Sequence, residues 1–423
     1  MKTASGVTVI SNGQLVDGTG RPPVPDAAVV ARDGRIAYAG PVREAPTPGP
    51  DARHLDARGG TIMPGLVEAH FHPTYFNVAA LEDLDIKYPV EYVTLLAAAN
   101  AKLALQCGYT AARSGGSLFN IDVWLKRAIE NDVTPGPRLA ASGREVCGVG
   151  GLMDWNPDFR KIGMEGLVLL VNGPDEARAA VRKLVKDGVE WVKTYPTGDA
   201  AAPDTNDHHT LCMTFEEMHA CVATAHNHGL KVTGHCRATE GIKNALRAGY
   251  DTLEHGTFMD DEALELLLER NTPVVPALQF EHASIVRGPE FGMGRRVIDG
   301  HKETLEGGAE SARRILRAGG RLGMGGDYGF AWNPHGTYAK ELTFFVKYVG
   351  LTPLEVLTCA TKTGAEIMGR GNEIGTLEPG KLADVLVVDG DVAANISVLE
   401  DRARLLAVLQ GGVVKAGRLA GGG

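Results

Sequence analysis

The sequence has no apolar run approaching the ~18 residues of a membrane span. Its first twenty residues, "MKTASGVTVISNGQLVDGTG", carry no continuous apolar core of a secretion signal. The six cysteines, Cys107, Cys147, Cys212, Cys221, Cys236 and Cys359, form no CxxC pair and no disulfide framework, a usage that fits a reducing compartment and small buried apolar side chains. No block of like charge stands behind the net charge of −9, so a nucleic-acid partner is disfavoured. No low-complexity linker interrupts the chain. These absences leave a cytoplasmic globular protein, without membrane or nucleic acid as partner, as the expectation.

What is present is ordinary in bulk and patterned in detail. Hydrophobic residues make up 44% and charged residues 22% of 423 positions, enough for one large domain and a smaller one. From about residue 59 to 375 the chain repeats an amphipathic helix pattern, a glycine or polar break, and a short apolar run with a polar end. The runs are "TIMPGLVEAHFH" (61–72), "GYTAARSG" (108–115), "GPRLAASG" (136–143), "GVEWVKTY" (188–195), "LKVTGHC" (230–236), "DTLEHG" (251–256), "TPVVPAL" (272–278) and "RLGMGGD" (321–327). Eight βα phrases predict an α/β fold with a TIM-type (β/α)8 barrel, a doubly wound open sheet being the alternative. Residues 1–58 and 376–423 are instead short strand-like pieces with turns. They predict one small β-sandwich built from both termini.

Side chains able to bind a metal recur at the ends of the predicted strands. His70 and His72 close the first, Lys193 the fourth, His235 the fifth, His255 the sixth and Asp327 the eighth. In a barrel these ends share the C-terminal mouth. Residues two apart on a strand share a face, so His70 and His72 are placed to hold one ion while Phe71 packs away. Imidazole and carboxylate are ligands of zinc and similar divalent ions. A single histidine at a strand end is more often a packing or surface residue; six polar residues converging from five strands resist that explanation, because buried charge is costly without partners. His54, His208, His209, His219, His226, His228 and His301 lie on loops, helix faces or the N-terminal segment and read as structural, as does His282 in a loop.

Lys193 is the odd member, since an ammonium has no lone pair to offer a metal. Burial beside cations favours its neutral amine, which can add carbon dioxide to become a carbamate, in effect a carboxylate on a long stem. A lysine reaching solvent at the mouth and a Schiff-base lysine are the alternatives, and the histidines around it disfavour both.

With these residues in place, the sequence resembles the amidohydrolase superfamily: HxH in "EAHFH", lysine ending strand four, histidines after strands five and six, aspartate after strand eight, together with "GGTIMPGLVEAHFH" and "GTLEPGKLADVLVVDGD". The stretch "VTGHCRATEGIKNALRAGYDTLEHG" is similar to its imidazolonepropionase-like and Xaa-Pro dipeptidase-like branch, which includes ochratoxinase-type and phenylurea-hydrolase-type enzymes. The resemblance implies a distorted barrel beside a two-termini β-sandwich and a homo-oligomer. It makes His70, His72 and Asp327 ligands of one divalent ion, expected to be zinc, His235 and His255 ligands of a second, and carboxylated Lys193 the bridge, in a family where one-ion members also occur. It further implies attack by a metal-bound hydroxide on the carbonyl of an amide, a dipeptide or N-acyl amino acid, or a urea or carbamate, with Asp327 moving the proton to the leaving nitrogen.

The sequence departs from that pattern at "AARSGG", where Ser114 replaces an acidic residue, at "TYPTGD" after Lys193, and at the aromatic "YGFAWNPHGTY" after strand eight. Substrate contacts are therefore expected from Arg237, whose fork suits a carboxylate or carbonyl oxygen, and from an aromatic wall of Tyr195, Phe330, Trp332, His335 and Tyr338. Long loops are expected over 152–170 and 279–297. A lactonase or phosphotriesterase using the same metal set is the alternative function. A ring deaminase is disfavoured by the presence of Lys193 and by Glu240 lying five residues after His235.

Overall fold

The structure, a computed structural model, describes residues 6–156, 159, 166–202 and 204–420. The N-terminal segment supplies β1 (Val7–Leu15), β2 (Val24–Arg32), β3 (Arg35–Pro41), β4 (Arg53–Asp56) and β5 (Thr61–Pro64). The middle supplies β6 (Leu66–Phe71), β7 (Tyr109–Ser114), β8 (Arg138–Ala140), β9 (Glu145–Gly148), β10 (Val168–Val171), β11 (Trp191–Thr194), β12 (Lys231–Cys236), β13 (Thr252–His255) and β14 (Val274–Val275). The C-terminal segment supplies β15 (Val385–Val388), β16 (Leu405–Gln410) and β17 (Val413–Ala416). Helices of the middle segment are α1 (Asp83–Ile86), α2 (Val90–Gln106), α3 (Ile121–Glu130), α4 (Pro174–Asp187), α5 (Phe215–Asn227), α6 (Thr239–Ala248), α7 (Asp261–Arg270), α8 (Leu278–Arg287), α9 (Arg295–Arg317), α10 (Lys340–Phe344), α11 (Pro353–Thr358) and α12 (Gly364–Ile367).

Both termini enter one eight-stranded sheet in the order β17-β16-β15-β5-β1-β2-β3, with β4 also on β1. The seam is the antiparallel pair β5–β15, in which Met63 faces Leu386. The run 61–72, expected as one strand, is two. Gly65 divides them: a Cβ there would lie 1.9 Å from Thr110 Oγ1, so only glycine lets the chain cross from the outer sheet into the parallel one.

The middle segment is α/β, with the parallel ladders β6-β7-β8 and β10-β9-β11-β12-β13-β14. α4 shows why its helices form where they do. Pro174 opens it, Asp175 and Glu176 sit in its first turn, Gly188 ends it at φ 90°, and Ala177, Ala180, Val181 and Leu184 make the buried stripe. α5 starts on a reciprocal capping box between Thr214 and Glu217.

The two ladders do not merge into one closed sheet. Isolated contacts link them: Glu190 and Trp191 N–H donate to Ala141 O at 2.9 and 3.1 Å, Val274 N–H donates to Arg321 O at 3.1 Å and its carbonyl accepts from Gly323 N–H at 2.8 Å, and Ala69 N–H donates to Met324 O at 2.7 Å. The eighth predicted strand, 321–327, is thus an extended crossing piece rather than a ladder strand. Its glycines are the reason, since a Cβ at Gly325 would stand 2.5 Å from His70 N and glycine weakens strand pairing. The loop expected over 279–297 is mostly α8, a turn at Gly288–Phe291 and the start of α9. That over 152–170 ends in β10 and lies partly outside the described residues. All six cysteines are unpaired and buried.

Candidate metal centre

Every side chain singled out as a ligand is buried, five of them at the C-terminal ends of parallel strands and Asp327 at the end of the extended piece 321–327. His70 is the penultimate residue of β6, with His72 just past the strand's end; Lys193 lies in β11, His235 in β12, and His255 ends β13. Ligand atoms of His70, His72 and Asp327 all lie within 4.8 Å of one another. His72 Nε2 is 3.2 Å from His70 Nε2 and 3.5 Å from the Asp327 carboxylate. The rings of His235 and His255 are centred 4.4 Å apart, and that of His255 is 5.3 Å from His70. His255 and Asp327 adopt positive φ, 67° and 54°, a conformation that costs non-glycine residues ~1–3 kcal/mol and gathers at functional sites.

The donor set fits a divalent cation. His70 Nδ1, both ring nitrogens of His255 and Asp327 Oδ1 are buried without a hydrogen-bond partner, each an uncompensated cost of ~1–3 kcal/mol. Burial first and the surrounding cationic groups second hold His70, His72 and His255 well below the ordinary histidine range and push His235 down to about 3. Neutral imidazoles with free lone pairs are what a metal requires.

The surroundings of Lys193 differ from the expectation. Burial beside cations was expected there, with no carboxylate partner assigned; its Nζ is ion-paired to Glu254, and Arg113 holds the other oxygen of that carboxylate at 2.7 Å. Burial pushes the Glu254 carboxyl up, but Lys193 and Arg113 outweigh it and hold it at about 2. Glu254 also stands 3.5 Å from His70 Nε2. Glu254 was not singled out in the sequence; strict alternation would put it and His255 on opposite faces of β13, and the positive φ of His255 breaks that alternation. Glu145, opening β9, was missed with its strand. It accepts from Tyr75 Oη at 3.1 Å and lies 3.7 Å from His72 Nδ1, while the Tyr75 ring stacks on His72 at 4.0 Å. Burial raises its carboxyl to about 8.

The centre opens into a cavity of about 670 Å³. His70, His72, Lys193, His235 and Asp327 form its floor, and Tyr75, Tyr195, Phe280, Phe330 and Trp332 stand on its walls. Tyr195 stacks on His235 at 5.4 Å, and Phe330 on Trp332 at 5.3 Å. His335 and Tyr338 do not reach the cavity: His335 bonds the Tyr338 hydroxyl at 2.9 Å and the Tyr75 carbonyl at 3.0 Å, behind Phe71. Arg237 does not line it either. It is 1% exposed, donating to Asp199 at 2.7 Å and paired with Glu281 at 2.7 Å. Glu281 in turn takes His301 at 2.8 Å and Thr304 at 2.5 Å, so His301 is an interior anchor.

Residues 61–415 match the profile of the amidohydrolase family. The chain belongs to that family. The amidohydrolase is 26% identical to ochratoxinase of Aspergillus niger, covering 96% of this chain and 86% of that protein. It is 25% identical to imidazolonepropionase of Symbiobacterium thermophilum, covering 90% of each. Among solved structures, a Xaa-Pro dipeptidase with bound methionine superposes with a TM-score of 0.87 at 28% identity, over 97% of this chain and 100% of that one. A prolidase complexed with N-methylphosphonate-L-proline gives 0.87 at 28%, over 96% and 99%. These relationships place the amidohydrolase among hydrolases acting on carbon–nitrogen bonds. Among the described residues no helix is long and apolar enough to cross a membrane.

Proposed function

We propose that this amidohydrolase cleaves the C–N bond of an amide, dipeptide, N-acyl amino acid, or N-aryl urea or carbamate whose ring or acyl group lies against the aromatic walls. The observation that carries the reading is the gathering of His70, His72 and Asp327 within 4.8 Å at the floor of an aromatic-walled cavity. In this reading His70, His72 and Asp327 would hold one divalent ion, His235 and His255 would hold a second, and Lys193, carboxylated by carbon dioxide with loss of a proton, would supply a shared carboxylate ligand. Zinc suits these donors, and such ions supply Lewis acidity and an acidified water. Asp327 takes the proton of the attacking water and returns it to the leaving nitrogen. Tyr195, Phe330 and Trp332 orient the substrate, and the buried ring of His72 is kept in place by Tyr75 stacked upon it. Six unpaired, buried cysteines support a cytoplasmic setting.

The test is a panel assay of purified, metal-analysed protein against N-acyl amino acids, dipeptides, N-aryl ureas, lactones and organophosphates. Turnover among the first three is expected. Turnover of only the last two would sink the reading.

A further inference from the structure

The loop after β11 carries two adjacent histidines that play no part in the centre described above. His208 Nε2 lies 3.2 Å from Glu303 Oε2, and His209 Nε2 lies 3.0 Å from Glu303 Oε1. Glu303 projects from α9, and one ligand atom from each residue falls within 4.8 Å of the others. We propose that His208, His209 and Glu303 form a second divalent-cation site, of zinc type, that clasps this loop to α9.

The donor chemistry is two imidazoles and a carboxylate, with solvent open on one side for a further ligand: His208 is buried, whereas the side chains of His209 and Glu303 are about half exposed. The two rings converge on one carboxylate: each Nε2 reaches a different oxygen of Glu303, at 3.2 and 3.0 Å, so an ion seated between them would meet both imidazoles and the carboxylate. The surroundings are shaped to hold the rings. Phe258 lies against both, its centroid 5.6 Å from His208 and 4.8 Å from His209. α9 carries glycine three residues before and four residues after Glu303, on the same face. A Cβ at Gly300 would meet Ala200 at 3.0 Å and His208 at 3.3 Å; one at Gly307 would meet Phe258 at 2.8 Å. Each glycine costs the helix ~1 kcal/mol relative to alanine, and on this face each admits a neighbour of the three ligands.

Two hydrogen bonds to Glu303 would place an Nε2 proton on each ring, whereas the ion takes those lone pairs, so cation and protons compete for the same atoms. The consequence reaches the cavity. The clasped loop contributes Ala201, Thr205 and Asn206 to its wall, and the Ala202 carbonyl accepts from Arg296, at the start of α9, at 2.8 Å. A cation here therefore fixes one wall of the cavity without touching the reacting groups.

The experiment is a zinc titration of the purified, metal-loaded enzyme against a chromophoric chelator, run on the parent, His209→Ala and Glu303→Gln. The parent should bind one equivalent of zinc more than either variant. Added zinc should raise its thermal midpoint by on the order of 2–4 °C and leave those of the variants unmoved. The increment is read within each protein, with and without zinc, so destabilisation by a substitution does not imitate it. Equal stoichiometry and equal zinc-dependent shifts in all three proteins would overturn the proposal.

Discussion

Lys193 Nζ and the Glu254 carboxylate are joined in an ion pair that is sealed from solvent, with Arg113 on the far oxygen. The pair holds a lysine at the floor of the cavity, its side chain 1% exposed and fixed in place by the carboxylate behind it. If Lys193 serves as a carboxylated bridge, Lys193→Ala lowers kcat by about 100-fold or more, the scale of losing a positioned group at a catalytic site. Short-chain carboxylates such as acetate or propionate restore part of it by standing in for the carbamate. Steady-state kinetics with and without the added acid checks this, and a variant of parental activity refutes the bridging role.

Prolonged dialysis against a strong chelator should abolish turnover, and zinc or a similar divalent ion should restore it. The orphaned nitrogens of His255 also predict a structural response. Removal of the ions leaves buried donor atoms unpaired, so the thermal midpoint of the chelated protein falls below that of the reloaded one. Differential scanning calorimetry on the two forms decides it; coincident traces would argue against ions at these residues.

Much of the centre was legible in the sequence because its signals are local. His70 and His72 are set two apart by the strand period, and Lys193, His235, His255 and Asp327 each end an apolar run. What was not legible depends on contacts distant in sequence or on broken periodicity. Glu254 is hidden behind His255 until the positive φ is known, and Glu145 lies on a strand too short to show a pattern. Arg237 carries the same limitation in reverse: its place two residues after His235 marks it as a substrate contact, but the carboxylates that claim it, Asp199 and Glu281, come from elsewhere in the chain. The way 321–327 runs between the two parallel ladders is illegible for a third reason, since its glycines permit close approach without announcing pairing.

Arg237 accordingly predicts a stability effect. Arg237→Ala strands two buried carboxylates, and breaking a buried ion pair from one side costs ~3–5 kcal/mol. The midpoint of guanidinium unfolding should fall markedly at neutral pH. Loss of substrate affinity at unchanged stability would instead return Arg237 to the cavity.

The aromatic wall predicts selectivity. Trp332 packs with Phe280 and Phe330, and all three line the cavity. Truncation to alanine removes a stacking surface worth ~0.5–1.5 kcal/mol beyond its buried area. Trp332→Ala should raise KM about 10-fold for a ring-bearing substrate while changing it little for an aliphatic one of the same bond type. Equal changes for both would mean that Trp332 supports the loop rather than the ligand.

Asp85 gives a pH dependence whose sign follows from its setting. Its carboxylate accepts the Trp155 indole N–H at 3.2 Å and the Leu167 N–H at 3.0 Å, tying the segment after β6 to that before β10. Burial outweighs these bonds and raises its carboxyl to about 6, against ~3.9 in an unfolded chain. Between those values the folded protein holds a proton that the unfolded chain has released, so this contribution to stability is present at low pH and declines as pH rises through about 6. Asp85→Asn cannot ionise and keeps one acceptor oxygen. The variant should therefore gain on the parent by ~1–2 kcal/mol between pH 4.5 and 7, a discounted figure because the group retains some solvent. Guanidinium unfolding of both proteins at the two pH values measures the difference directly, and one that does not change with pH would show that Asp85 titrates normally in the folded protein.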